Sequence, residues 1–154
     1  MAPLAKRLAW LRSLEAHTYL VELLDQDLQR DCGVPLVWYD VLVKIWRAPD
    51  HAIRMSELAD QVLLSRSWLT RRVAQLEQAG LLVRRSDDSD GRGILAVITE
   101  HGTVAFQAME ASHSRSIAAH FSAHLSGEEA HIIAIALGRI ASEGRASLAR
   151  RSHS

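Results

Sequence analysis

The chain has 154 residues, 48% hydrophobic and 23% charged, which suits one domain with a buried core and room for long helical arms. Eighteen basic and eighteen acidic side chains cancel, so any nucleic-acid affinity must come from local clustering and not from bulk charge. One cysteine, Cys32, excludes an intramolecular disulfide and a multi-cysteine zinc site. No basic-then-apolar leader pattern is present and no apolar run approaches the roughly 18 residues of a membrane span, so a cytoplasmic protein without a membrane partner is expected.

In chain order, Leu4, Leu8, Leu11, Leu14, Val21, Leu24 and Leu28 recur at helical spacing and predict an amphipathic helix from Leu4 to about Arg30, on the order of 40 Å long. A small core cannot cover such a helix, so part of its stripe is expected to meet a partner chain. "DCGVP" breaks it, and Pro35 suits the first turn of a second helix through about Trp46, with Trp38, Val41, Leu42 and Ile45 inward. "APDHA" reads as a loop, and Ser56 as the N-cap of a short helix "ELADQVL". Ser65 or its neighbour caps the next helix, which ends at Gly80, a residue free to adopt the left-handed C-cap conformation. "LLVRR" and "ILAVI", joined by "SDDSDGRG", form a β-hairpin. Thr99 caps a long helix to about His124, and Ser126 with Glu129 has capping-box spacing ahead of a last helix whose stripe is Ile133, Ala136, Leu137 and Ile140. The fold class is therefore mainly α with a small β-hairpin wing: a winged helix-turn-helix flanked by long dimerisation helices.

The helix after Ser65 carries Arg66, Arg71 and Arg72 and no acidic residue in its front half. At 100° per residue Leu69, Val73 and Leu76 share the buried face; Ser67, Arg71, Ala74 and Gln78 stand opposite, Thr70 and Gln75 beside them, Arg66 and Arg72 on the flanks. A small, polar, basic face lets a backbone enter the major groove of double-stranded DNA, where Arg pairs with guanine O6 and N7 while flanking arginines reach phosphates. A solvated face is the plain alternative for three arginines. Arg92 on the hairpin tip favours DNA, being placed for a minor groove, whereas Asp87, Asp88 and Asp90 would repel it; Asp90 tied to Arg92 would shape the turn.

"SELADQVLLSRSWLTRRVAQLEQAGLLVRRSDDSDGRGILAVITEHG" resembles the core of MarR-family regulators. The resemblance rests on Leu58–Ala59; on Ser65, Thr70 and Arg71; on Leu76, Glu77, Gly80 and Leu81; on Asp90 and Arg92; and on Thr99, Glu100 and Gly102. Leu63, where the family usually has Gly, Trp68 in place of a small or β-branched residue, and Gly91 in place of a further Arg depart from it. Trp68 either packs on the preceding helix or touches thymine methyls. The resemblance implies a homodimeric, sequence-specific DNA-binding transcriptional regulator, with Ser65, Arg66, Ser67, Trp68, Thr70, Arg71, Arg72 and Arg92 at the DNA. It implies dimerisation segments at 1–34 and 99–150 around a DNA-binding lobe at 35–98, and a repressor of a near-palindromic operator released by a small aromatic effector. His17, Trp38, Tyr39 and Trp46 occupy the matching ligand region, although two Trp at helical spacing equally suit a core. Cys32 as a thiol sensor and His120 with His124 as metal ligands are weaker readings, and no metal or cofactor is expected. No phosphate loop, nucleophile elbow or His-Glu-x-x-His is present, so no catalytic residue is expected. A winged-helix interaction module that does not read DNA is the competing reading.

Overall fold

The computed structural model describes residues 3–62, 66–87 and 93–151. The elements are α1 (Leu4–Cys32), α2 (Leu36–Arg47), β1 (Ala52–Arg54), α3 (Met55–Gln61), α4 (Arg66–Gln78), β2 (Leu82–Ser86), β3 (Ile94–Ile98), α5 (Glu100–His120) and α6 (Gly127–Arg151). Two compact units divide between Ser116 and Ile117.

In the first unit α2 is the hub. It buries Leu36, Tyr39, Val41, Leu42, Val43 and Ile45, too many for one stripe, so it is covered from several sides. Its first turn is capped from a neighbouring helix, because Asp25 of α1 accepts the Leu36 N–H at 2.7 Å. α1 ends at Gly33, whose φ of 70° is the left-handed C-cap and whose N–H returns to Gln29 O.

The segment expected to be a plain loop after α2 is a short 3-10 turn, Pro49–His51, followed by a strand. β1 pairs antiparallel with β3, Ile53 opposite Ala96, so the expected hairpin is a three-stranded sheet ordered β1-β3-β2. Three residues are too few to display an alternating pattern, which is why the sequence hides this strand. The same strand moves the start of α3: Arg54, not Ser56, is its N-cap residue.

Gly80 ends α4 as expected, at φ +73°. Its N–H donates to Glu77 O and that of Leu81 to Leu76 O, both at 2.9 Å, which is the Schellman arrangement. The turn is stitched to α5. Thr99 donates its N–H to Leu81 O at 3.1 Å and its hydroxyl to Gly80 O at 2.7 Å, while the same hydroxyl caps α5 by accepting the Gly102 N–H at 2.9 Å. Gly102 then lies so close to Leu81 that a Cβ would stand 1.8 Å from its carbonyl oxygen.

α5 stops at His120, short of the expected His124, and residues Ser122–His124 form a 3-10 turn. The back half of α1 docks on α5 through two polar rungs. Asp31 accepts from Ser112 at 2.7 Å and from Arg115 at 3.1 Å, and Asp27 accepts from Ser116. Asp27 and Asp31 are four residues apart, as are Ser112 and Ser116, so one turn of each helix is matched to one turn of the other. In the second unit Ser126 and Glu129 form the expected capping box at the head of α6.

Two outcomes are expected. Gly102→Ala should cost about 1–3 kcal/mol or more, because the added methyl meets backbone that cannot yield, and urea denaturation reads this directly. The Ser112 hydroxyl, followed by Arg30, holds the Asp31 carboxyl below its ordinary pKa. A depressed folded value means that its contribution is complete above the unfolded pKa and is lost as pH falls through the folded one. Acid unfolding should therefore steepen below about pH 4, and Asp31→Asn should lower the neutral-pH melting temperature and flatten that acid limb.

Candidate nucleic-acid interface

α4 turns Leu69, Val73 and Leu76 inward, all three buried. Ser67, Thr70, Arg71 and Gln78 are exposed and Ala74 is half-buried, so the small, polar, Arg-bearing face stands away from the core as the helical period predicts. On the flank Arg72 is half-buried. Its guanidinium carbon lies 4.8 Å from the centre of the Trp68 ring, and Nη1 donates to Gln75 Oε1 at 2.9 Å. Arg66 begins the helix, and its side chain lies outside the described residues. So do Ser65, Asp90 and Arg92, together with Leu63 and Gly91.

The helix is locked to the wing. Arg84 of β2 donates from Nε and Nη2 to Glu77 Oε2 at 2.9 and 2.6 Å, and from its backbone N–H to Oε1 at 3.2 Å. The Arg84 side chain, then its N–H, pulls the Glu77 carboxyl below its ordinary pKa. Arg84 thus closes an ion pair, and Arg85 beside it is exposed.

Asp87 differs from the expected repulsive wing carboxylate. It is 7% exposed, its N–H donates to Gly93 O at 2.9 Å, and its Oδ2 meets Nη2 of Arg54 at 2.6 Å. Sequence reasoning missed Arg54 because its partner is 33 positions away and the strand that carries it was not foreseen.

The aromatic side chains near α2 fall into three settings. Tyr39 and Trp46 belong to a column of stacked rings: His51 on Trp46 at 4.1 Å, Trp46 on Phe106 at 5.0 Å, Phe106 on Tyr39 at 5.9 Å and Tyr39 on His113 at 4.1 Å. Each of the pair therefore stacks with two other rings. The Tyr39 hydroxyl donates to Glu110 at 2.7 Å; burial, then that bond, raises its pKa. Burial lowers the pKa of His113, against the pull of Glu110 and Asp40. At the other end His51 sits at φ 53° with its Nδ1 2.6 Å from Trp46 O; a carbonyl only accepts, so Nδ1 carries the proton. Trp38 instead lines a cavity of about 310 Å³, with Cys32, Leu81, His101 and Met109. His17 is exposed on α1. Burial, then Asp31, pushes the Cys32 thiol up, which works against a thiolate sensor. Among the described residues no three His, Cys, Asp or Glu side chains group to hold a metal ion.

Two short helices leading into a three-stranded sheet, with a polar, Arg-bearing second helix, define the winged helix-turn-helix class. The MarR family's sequence profile matches residues 36–94. AbsC, a MarR family transcriptional regulator from Streptomyces coelicolor, is 32% identical over 95% of this chain and 98% of its own, with a TM-score of 0.87. Sco3205, a second such regulator from that organism, solved in complex with DNA, is 33% identical over 94% and 89%, with a TM-score of 0.84. A cysteine-to-serine mutant of MarR from E. coli, complexed with operator DNA, shares the fold at 20% identity over 90% and 99%, with a TM-score of 0.75. No curated protein sequence matches. The chain belongs to the MarR family of transcriptional regulators.

If Arg54 holds the wing base, Asp87→Ala should lower stability by about 1–3 kcal/mol, toward the low end because the freed guanidinium reaches water. Amide exchange in β2 and β3 should quicken more than in α5, a comparison that separates a wing effect from general loosening.

Proposed function

We propose that the chain is a homodimeric, sequence-reading DNA-binding transcriptional regulator, a repressor released by a small aromatic effector. The observation that carries this reading is α4 itself: an apolar stripe wholly buried, an outward face of Ser67, Thr70 and Arg71, and a C-terminus clamped to the wing. A helix so fixed brings Arg71 to a base edge without an ordering cost in the backbone, and Ser67 and Thr70 are small enough to let the backbone approach. In this reading Ser65 and Arg66, Arg72 with Trp68 beside it, and Arg92 with Asp90 shaping the wing complete the DNA-binding set. The solved DNA complex of Sco3205 supports the same use of this fold.

Residues 1–34 and 99–150 form the dimerisation arms around a DNA-binding lobe at 35–98. The front half of α1 leaves Leu4, Leu8, Trp10, Leu11 and Leu14 exposed, and α6 has no buried residue although it carries Ile132, Ile135, Leu137 and Ile140. Apolar surface on that scale is what a second copy covers. Two α4 helices one helical turn apart then read a near-palindrome. The effector sits in the cavity walled by Trp38, whose volume is at the small end of ligand sites and suits one substituted ring. Of the other residues of the ligand region, Tyr39 and Trp46 stand in the ring column and His17 on the exposed face of α1, outside the lining of this cavity.

The test is fluorescence anisotropy with the duplex upstream of the protein's own gene against a scrambled duplex, at two salt concentrations. A salt-sensitive preference for the native duplex is expected. Arg71→Ala should remove about 1–3 kcal/mol of that preference while leaving scrambled-duplex binding nearly unchanged, and single-ring phenols should release the complex. Equal binding of both duplexes at both salts would overturn the reading in favour of an interaction module.

A further inference from the structure

Trp68 stands where the helical period puts it in line with Arg72 and Gln75: relative to Trp68 they lie at about +40° and −20° around α4, beside the buried stripe. The three side chains make one continuous contact. The indole supports the guanidinium from below at 4.8 Å, and Gln75 Oε1 takes Nη1 at 2.9 Å. Nε of Arg72 is buried without a hydrogen-bond partner, so a ligand would be met by Nη2 and the remaining N–H of Nη1. An arginine on an open helix flank samples many rotamers and loses them when it meets a phosphate. One laid on an aromatic face and pinned at one nitrogen has largely lost them beforehand.

We propose that Trp68 and Gln75 form a brace that presets Arg72 as a phosphate contact on the flank of α4, and that Trp68 acts on DNA through Arg72 and not by touching bases. Trp68 and Gln75 are thus positioning residues. The inference rests on the DNA-binding reading given above. It explains why a bulky ring is tolerated near the head of a helix whose exposed face is otherwise small.

The experiment is a double-mutant cycle in the anisotropy assay, run on the duplex upstream of the gene and on a mixed-sequence duplex, each over a salt series. Arg72→Ala should weaken both duplexes alike and reduce the slope of log affinity against log salt by about one, the signature of one lost phosphate contact. Trp68→Ala should weaken both by about three- to tenfold and reduce the slope in the same direction. In the Arg72→Ala background it should have no further effect. Trp68→Phe, which keeps a ring face, should restore most of the loss, and Arg72→Lys, which keeps the charge without the flat fork, should match Trp68→Ala. Circular-dichroism melts show whether each variant is folded, and the Phe and Lys variants carry the test if an Ala variant is not.

Additive losses in the cycle, or a Trp68→Ala effect confined to the upstream duplex, would overturn the brace while leaving DNA binding intact. An unchanged salt slope in Arg72→Ala would do the same. Failure of the wild-type protein to bind either duplex would overturn the DNA reading and the brace with it.

Discussion

The backbone carbonyl of Leu81 is the point on which the winged-helix lobe turns. It follows the left-handed residue that ends α4, accepts the Thr99 N–H that starts α5, and is approached by Gly102 more closely than any side chain would permit. Three elements therefore meet at backbone distance, without flexible side chains between them. The direction of α4, the origin of the sheet and the first turn of α5 are set together, and a shift in one must be shared by the others. On the proposed reading α4 has to meet a groove at a fixed angle, and this shared backbone contact is the constraint from which the rest follows.

Charge is arranged on the same principle. The chain is neutral as a whole, yet several carboxylates near the wing and the long helices are engaged within the fold: Glu77 by Arg84, Asp87 by Arg54, Asp31 by Ser112 and Arg115, Asp27 by Ser116. The arginine pairs neutralise a carboxylate and a cation together, whereas the serine bonds fasten a carboxylate without neutralising it. Arg71 and Arg85 remain outward on the elements concerned. Summed composition hides this distribution, because a count of charges carries no information on which of them are paired.

Residues whose role is local were legible in the sequence. Leu69, Val73 and Leu76 fixed the inward face of α4, Gly80 its end, Thr99 and the Ser126–Glu129 box the starts of α5 and α6, because each acts within one helical turn of itself. What escaped depends on distant partners. β1 exists because β3, more than forty residues later, offers an edge, and Arg54 gains its role from Asp87 across that sheet. The stacking of Tyr39 and Trp46 with Phe106, His51 and His113 likewise joins rings distant in sequence and has no local signature. Trp68 was legible as an anomaly; only three-dimensional placement of Arg72 gave it an explanation.

The polar rungs between α1 and α5 join residues 81 and 89 positions apart. During synthesis the chain leaves the ribosome with α1 first, while Ser112 and Ser116 are still to be added, and the short-range contacts of α3, α4 and the sheet have time to form in the interval. Only its contact with α2, through Asp25 and Leu36, can form at once, and its docking on α5 waits. For that period its leucines have neither α5 nor a second chain against them, so the growing polypeptide carries its longest described helix only partly covered.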